Sequence, residues 1–113
     1  MPDSEWPRLI EVLGREELAG LLGISASSAH RYERGQRRTP DDVAARLHWL
    51  ALVVGDLGGA YNELGIRHWF HRRRTALDGK EPAQLLGDDW DPEDPGPRHV
   101  RDLARSLVAS GAT

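Results

Sequence analysis

The stretch LAGLLGISASSAHRYERGQRR, residues 18–38, predicts more of the fold than any other part of this 113-residue chain. Its apolar residues recur at helical spacing as far as Gly23, a residue type that commonly ends a helix in the left-handed conformation. The hydroxyl of Ser25 can cap a following helix, predicted over about residues 26–34 and ending at Gly35. The stretch therefore predicts two short helices joined by a tight turn.

A cluster of cations closes this stretch, with four arginines against the single acid Glu33, although the whole chain has a formal net charge of −3. Two helices joined by a tight turn, with small residues opening the second, are the helix-turn-helix pattern, whose second helix enters the DNA major groove. Arg31 can read guanine there, and the cations beyond it can contact phosphates. A solvated cationic face would explain the same arginines without DNA. The predicted DNA contacts are Ser27, Ser28, Arg31, Arg34, Gln36, Arg37 and Arg38.

The rest of the sequence also predicts helices. Apolar residues recur with the helical period, and no segment alternates with the period of two that is typical of a half-buried strand. The predicted fold class is therefore all-α. The other predicted helices cover about residues 7–13, 15–22, 42–57 and 98–109, with one more around Ile66, Trp69 and Phe70 and a short one opening at Pro82.

The predicted helix over residues 42–57 is apolar on nearly every side, so it must be buried on nearly every side. It is either the junction between two halves of the chain or a surface for self-association. We expect a homodimer, because pairing two DNA-reading units doubles the length of the site. The predicted division is residues 1–60, including this long linking helix, and residues 61–113.

Residues 87–97 contain five acids, no base and three prolines, which indicates a loop. An acidic loop of this kind can meet a cationic partner, or it can be solvated and disordered. The cationic run His71 to Arg74 has three interpretations: a partner interface, an extension of the DNA-binding surface, or a solvated helix end favourable to the helix dipole.

Composition removes several functional classes from the prediction. There is no cysteine, no glycine-rich phosphate loop and no Ser/His/Asp set, so we predict neither an enzyme nor a cofactor. His68 and His71 have the spacing of a metal pair on a helix, but no third ligand is in view and cations adjoin them, so no metal is predicted. No segment is apolar enough to span a membrane, and acids stand where a signal peptide needs cations, so we expect a cytoplasmic protein.

The sequence LAGLLGIS, followed six residues later by YERG, resembles the Xre (Cro/C1-type) helix-turn-helix family. Ala29 is a departure, because a larger branched residue is usual at that position. The resemblance implies that the N-terminal half is a Cro/C1-type DNA-binding bundle, and Ala29 implies that its core is slimmer there or is filled from elsewhere.

The sequence GIRHWFHRRRTALDGKEPAQLLGD, residues 65–88, resembles the C-terminal domain of Xre/MbcA/ParS-type antitoxins. That family shows an apolar-Trp-(Leu/Phe) helix, a turn and short helix with Leu-x-Gly-x-x-Pro-x-x-Leu-Leu spacing, and a closing amphipathic helix. The residues that match are Ile66, Trp69, Phe70, Ala76, Leu77, Gly79, Pro82, Leu85 and Leu86, with Val100, Leu103 and Leu107 in the closing helix.

The resemblance implies an antitoxin that binds and blocks an NAD-consuming RES-domain toxin and represses its own operon by binding operator DNA. Such a toxin should present cations around its pocket, so the acidic loop is the expected contact, together with the last helix. A stand-alone Xre-family repressor with a C-terminal dimerisation or effector domain is the alternative. The predicted toxin-binding residues are Arg72, Arg73, Arg74, Asp88, Asp89, Trp90, Asp91, Arg98, Arg101 and Arg105.

Overall fold

The structure, a computed structural model, describes residues 5–111 and the side chains of residues 5–107. Over those residues the chain is all-α, as predicted, and no strand forms. The outermost parts of the two predicted segments, residues 1–4 and 112–113, lie outside the described residues. The helices are α1 (Glu5–Leu13), α2 (Arg15–Leu22), α3 (Ala26–Glu33), α4 (Asp41–Leu57), α5 (Glu63–Trp69) and α6 (Pro95–Gly111), with 3₁₀ turns at Thr75–Leu77 and Pro82–Leu85.

The predicted turn between α2 and α3 is confirmed in its local chemistry. Gly23 adopts φ +76°, ψ +29°, and the Ile24 N–H donates to the Ala19 carbonyl at 3.0 Å, which closes the end of α2. Ser25 is extended, and its Oγ accepts the Ser28 N–H at 3.0 Å. The turn is therefore held by a left-handed glycine on one side and a serine cap on the other.

Helix α4 is the junction between the two halves. Its apolar residues are buried against α1 on one side and α6 on the other, so most of its apolar surface is covered within one chain. The exception is Leu52, whose side chain is 37% exposed. The junction alternative accounts for the all-round apolar character of this helix without a second copy of the chain. The buried apolar residues of α4 are Val43, Leu47, Trp49, Leu50, Val53, Val54 and Leu57.

The two predicted segments share one hydrophobic core. A single cluster of buried side chains contains Leu18 and Leu47 from the first segment and Phe70 and Val100 from the second. Helix α1 also packs on α5, where Arg67 Nε donates to the Val12 carbonyl at 2.6 Å. Each segment therefore covers apolar surface of the other.

Short turns connect α5 to α6. The short helix predicted at Pro82 is a 3₁₀ turn of four residues, with Pro82 at its first position and a reciprocal cap between Glu81 and Gln84. Gly79 has the positive φ (+79°) that its sequence context predicts, and Asp78 before it is also left-handed. These turns reverse the chain and carry it back towards α4.

The start of α6 was predicted three residues too late. The helix begins at Pro95 because the Asp94 carbonyl accepts the Arg98 N–H at 3.0 Å. Pro95 and Pro97 fit the first turn, where a missing backbone N–H leaves no hydrogen bond unmade. The acidic loop therefore covers residues 88–94. None of the helices within residues 5–111 combines the length and the apolar character needed to cross a membrane.

Candidate functional site

Helix α3 presents its arginines to solvent. Arg31 and Arg34 are exposed, and neither forms an ion pair with another described residue. The one acid in the stretch, Glu33, is engaged by Arg15 of α2 at 2.7 Å and therefore helps to hold α2 against α3. The cationic charge of this face is consequently left uncompensated, which is what an anionic partner needs.

The serines at the start of α3 leave little side-chain bulk at its N-terminal end. Ser27 is exposed and Ser28 is half-buried. The Ser28 hydroxyl oxygen accepts a hydrogen bond from Ser25 Oγ at 3.0 Å. Ser27 Oγ is also near Ser25 Oγ, at 3.3 Å. The predicted contact residues at this end therefore also stabilise the cap.

The loop after α3 is exposed in its predicted contact residues, Gln36, Arg37 and Arg38. Arg38 lies 3.5 Å from Asp41, but both side chains are at least 89% exposed, so the pair holds Arg38 only weakly. Together with the predicted contact residues on α3 and at its end they make up a set that we call the α3 face, in which every residue but the half-buried Ser28 is exposed: Ser27, Ser28, Arg31, Arg34, Gln36, Arg37 and Arg38.

The core behind α3 is filled from α1. Ala29 is fully buried, as predicted, and Tyr32 is half-buried and faces Trp6, with 6.0 Å between the ring centroids. Trp6 is 1% exposed, and its Nε1 donates to Thr39 Oγ1 at 3.2 Å. Trp6 of α1 therefore contributes to the core on the side of α3 that carries Tyr32.

The acidic loop is anchored by Trp90, which was predicted to contact a toxin. The structure corrects that prediction, because Trp90 is 4% exposed and lies in the core. Its Nε1 donates to the Leu21 carbonyl at 2.8 Å, and its ring meets Trp49 edge-on with 4.9 Å between centroids. Trp90 therefore orients the loop from the core and is too buried to contact a partner itself.

Arg46 is the second anchor, and it is not among the residues predicted from the sequence. It lies on α4 and is 4% exposed. Its Nε donates to the Trp90 carbonyl at 2.7 Å and its Nη1 to the Leu22 carbonyl at 3.1 Å. Its Nη2 donates to Asp89 Oδ1 at 2.8 Å. A single guanidinium therefore joins α4, the end of α2 and the acidic loop. The signal in the sequence was a cation on the buried side of an apolar helix, between Val43 and Leu50.

The loop also orders itself and lies directly against the α2–α3 turn. Asp91 Oδ1 accepts the Glu93 N–H at 2.8 Å, and Asp94 Oδ2 accepts the Asp91 N–H at 3.0 Å. The Asp88 carbonyl approaches Gly23 so closely that a Cβ there would overlap it. The structure therefore shows the loop in one hydrogen-bonded conformation and not as a disordered segment. The loop's carboxylate residues remain exposed: Asp88, Asp89, Asp91, Glu93 and Asp94.

The predicted cationic run divides into two parts. Arg72 and Arg73 are exposed, and neither forms an ion pair with another described residue. Arg74 is half-buried, and its guanidinium carbon lies 5.2 Å from the ring centroid of Trp69. Its backbone N–H donates to the Lys80 carbonyl at 3.0 Å. Arg74 thus belongs to the turn that follows α5, while its two neighbours are free to meet a partner.

The predicted arginines of α6 line a cleft between α4 and α6. Arg98 and Arg105 are exposed, and Arg101 is half-buried. The acidic loop closes one end of this cleft with Pro92 and Glu93. The acidic loop therefore lies next to the α6 arginines, and both negative and positive side chains line the cleft.

Of the two histidines near α5, His71 contacts carboxylates. His71 Nε2 pairs with Glu17, and its Nδ1 lies 3.7 Å from Glu81. His68 is exposed. No group of three or more metal-ligating side chains suited to an ion occurs within the described part of the chain.

No family model, curated protein or solved structure matches this chain. The resemblance to the Xre and MbcA/ParS-type antitoxins therefore stays a prediction, carried by the residues quoted for it. What the structure adds is the placement of the predicted residues. All residues of the α3 face except Ser28 are exposed, and the acidic residues lie on one anchored loop. Trp90 is buried and Arg74 is half-buried, so these two pack against the protein itself.

Proposed function

We propose that this chain is an antitoxin that binds and blocks an NAD-consuming RES-domain toxin and regulates its own operon by binding DNA. In this proposal α2 and α3 act as a helix-turn-helix, and the acidic loop with α6 forms the toxin-binding surface. The resemblance of residues 18–35 and 65–88 supplies the family.

The α3 face supports the DNA-binding half of the proposal. Its arginines are exposed and largely unpaired, and the small residues at the start of α3 permit close approach to a groove. Arg31 is the proposed base-reading residue, and the cations after α3 are the proposed phosphate contacts. The net negative charge of the chain is compatible with this, because the field at a surface depends on local charge.

The observation that carries the antitoxin half is the anchoring of the acidic loop. Arg46 and Trp90 hold the backbone of the loop from the core, while its five acids remain exposed. A loop held in one conformation loses little entropy on binding, so it is suited to insertion into a cationic pocket. A toxin that binds a dinucleotide provides such a pocket, where carboxylates can stand in for phosphates.

The proposal is tested by co-expressing the chain with a RES-domain toxin encoded beside it, followed by pull-down and an assay of NAD⁺ consumption. We expect co-purification and suppressed consumption. The variant carrying Asp88→Asn, Asp91→Asn and Glu93→Gln should lose suppression, because the charges go while the backbone anchors stay.

The matched control carries Glu11→Gln, Glu16→Gln and Glu63→Gln, three exposed acids outside the loop. It should suppress consumption as well as the unaltered chain does. Equal suppression by the loop variant would exclude the loop as the inhibitory element. If no toxin co-purifies while the chain binds the DNA upstream of its own gene, the stand-alone repressor is the better description.

A further inference from the structure

We propose that the cleft between α4 and α6 binds a small organic anion, in which a phosphate or carboxylate group is joined to a flat apolar body. The proposal goes beyond the antitoxin function and does not depend on it. It rests on the shape of the cleft, on its charge and on two buried donors that have no acceptor.

One wall of the cleft is apolar and aromatic. It is formed by Ala45, His48, Trp49 and Leu52, which follow one another along a single side of α4. Leu52 is one of only two large apolar side chains that are exposed among residues 5–107. His48 stands at the edge, where its Nδ1 lies 2.8 Å from Glu5 Oε2. The wall therefore offers a flat ligand an apolar surface with a polar margin.

The opposite wall is cationic. Arg98, Arg101 and Arg105 lie on successive turns of α6 and line the same space. None of the three forms an ion pair with another described residue, although Asp102 and Glu93 also line the cleft. Three arginines against two carboxylates leave the lining net positive. Guanidinium groups bind carboxylates and phosphates through paired hydrogen bonds, so an oxyanion is the complementary group.

Two of the lining residues carry buried donors without partners. Among the described residues, the indole N–H of Trp49, which is 4% exposed, and Nε of Arg101 have no acceptor, as is also true of donors on Arg15, Trp69 and Arg74 outside the cleft. Buried polar groups are nearly always hydrogen-bonded, so two orphans in one lining need an explanation. Both are donors with less than 1 Å² of accessible surface, so a ligand oxygen can accept from them only after the side chains shift. The unbranched Arg101 side chain can rotate towards it, since the residue is only half-buried.

The size of the cleft points to a small molecule. Its volume of about 450 Å³ lies within the range of sites that enclose small ligands. The combination of an apolar wall with three arginines suits a molecule of the size of a nucleoside monophosphate or an aromatic carboxylate. A protein segment would make its main contacts outside such a cleft.

The test is isothermal titration calorimetry on the full chain without toxin or DNA, using four probes: adenosine monophosphate, adenosine, benzoate and inorganic phosphate. We expect the monophosphate or benzoate to bind more tightly than either adenosine or inorganic phosphate, because both the charge and the flat body contribute. Whichever of these two anions binds more tightly shows whether the cleft prefers a phosphate or a carboxylate group. Absence of binding by both at millimolar concentration, or equal affinity for adenosine and its monophosphate, would overturn the proposal.

Variants locate the site. Arg101→Gln and Arg105→Gln should each weaken binding by about tenfold or more, the effect expected when a hydrogen bond to a charged group is lost. Arg105 is exposed, so its replacement leaves the fold intact even if that of Arg101 does not. The control is Arg72→Gln, which removes the same charge from an exposed position outside the cleft. An equal loss in the control would mean that the anion binds through diffuse charge, and the proposal would be wrong.

Failure of this titration leaves the antitoxin proposal unaffected, because neither toxin nor DNA is present. Conversely, a chain that suppresses no toxin can still bind the anion. The two proposals are therefore tested separately.

Discussion

Arg46 shows how a buried cation can be accommodated mainly by carbonyl groups. Its Nε and Nη1 donate to the carbonyls of Trp90 and Leu22, both in buried residues. Its carboxylate partners are Asp89 at 2.8 Å and Asp42 at 3.6 Å, with side chains that are 93% and 63% exposed. Solvent therefore screens both ion pairs, and the carbonyl contacts supply most of the stabilisation.

The first prediction separates those two contributions. Arg46→Met keeps much of the apolar stem but leaves two carbonyls without a donor, so it should lower the free energy of unfolding by about 1–3 kcal/mol for each carbonyl. Asp89→Asn should lower it by only about 0–1 kcal/mol, the range for an exposed pair. Urea denaturation of both variants checks this. Equal losses would mean that the carboxylate, and not the carbonyls, holds the guanidinium.

The second prediction concerns the close approach of the acidic loop to the α2–α3 turn. Gly23 and Gly35 have similar positive φ angles, +76° and +71°, but only Gly23 has the Asp88 carbonyl in the space of a Cβ. Gly35→Ala should therefore cost about 1–2 kcal/mol of stability, from left-handed strain alone. Gly23→Ala should cost more, and it should weaken hydrogen-exchange protection in the acidic loop. Matching losses from the two variants, with the loop unchanged, would show that the approach is unimportant.

At the scale of elements, α3 has two sides with separate tasks. The side formed by Ala29 and Tyr32 packs on the core, while Arg31 and Arg34 face solvent. Glu33 is tied to Arg15 and so belongs to the packing of α3 on α2. Changes on the exposed side can therefore alter binding without altering the fold.

The third prediction follows from that separation and tests the DNA-binding proposal. Arg31→Ala should weaken binding to the DNA upstream of the chain's own gene by about 1–3 kcal/mol, as expected for a lost base contact, with no change in thermal stability. The control Arg8→Ala removes an exposed arginine of α1, outside the α3 face, and should leave the affinity unchanged. Fluorescence anisotropy with labelled DNA measures both. An unaltered affinity for the Arg31→Ala variant would exclude Arg31 from the surface that reads the bases.

The fourth prediction uses salt. Each phosphate contacted by the α3 face should contribute a slope of about −0.9 to the plot of log affinity against log salt concentration. Removing one exposed arginine from the loop after α3, as in Arg37→Ala, should make that slope shallower by about 0.9, the contribution of one phosphate contact. A slope near zero for the unaltered chain would mean that the arginines do not face DNA.

At the scale of the whole molecule, the acidic loop and α6 are part of the core as well as a surface. Trp90, Val100 and Ala104 are buried in the same cluster as α4 and α2. Trp49 would lose its aromatic neighbour Trp90 and much of its cover if the acidic loop and α6 were removed. The halves that the sequence divides near residue 60 are therefore expected to fold together.

The fifth prediction tests that interdependence. A chain ending at Gly87 should lose cooperative unfolding, because residues 88–107 cover α4, and far-UV circular dichroism with a urea titration would show this. The full-length variant with Asp88→Asn, Asp91→Asn and Glu93→Gln should unfold cooperatively, since its backbone anchors remain. A shortened chain with a sharp transition would mean that residues 5–87 form an independent domain.

Much of the fold was predictable because it depends on contacts close in the sequence. The end of α2 at Leu22, the left-handed Gly23 and the Ser25 cap each follow from the chemistry of a few neighbouring residues. The start of α6 was misjudged, because three prolines and five acids in eleven residues are also typical of loops. The exposure of Arg31 was predictable, since the periodicity of α3 separates it from the buried Ala29, whereas Ser28 of the predicted set is half-buried.

What the sequence by itself determined is the helical class, the α2–α3 turn and the separation of cationic and acidic residues along the chain. Only the tertiary structure decided that α4 is a junction inside one chain, that Trp90 is an anchor and that Arg46 joins three segments. The physical reason is the distance along the chain: Arg46 meets partners 24 and 44 residues away, and no local pattern specifies such a contact. Those contacts follow from how the helices fill their common core.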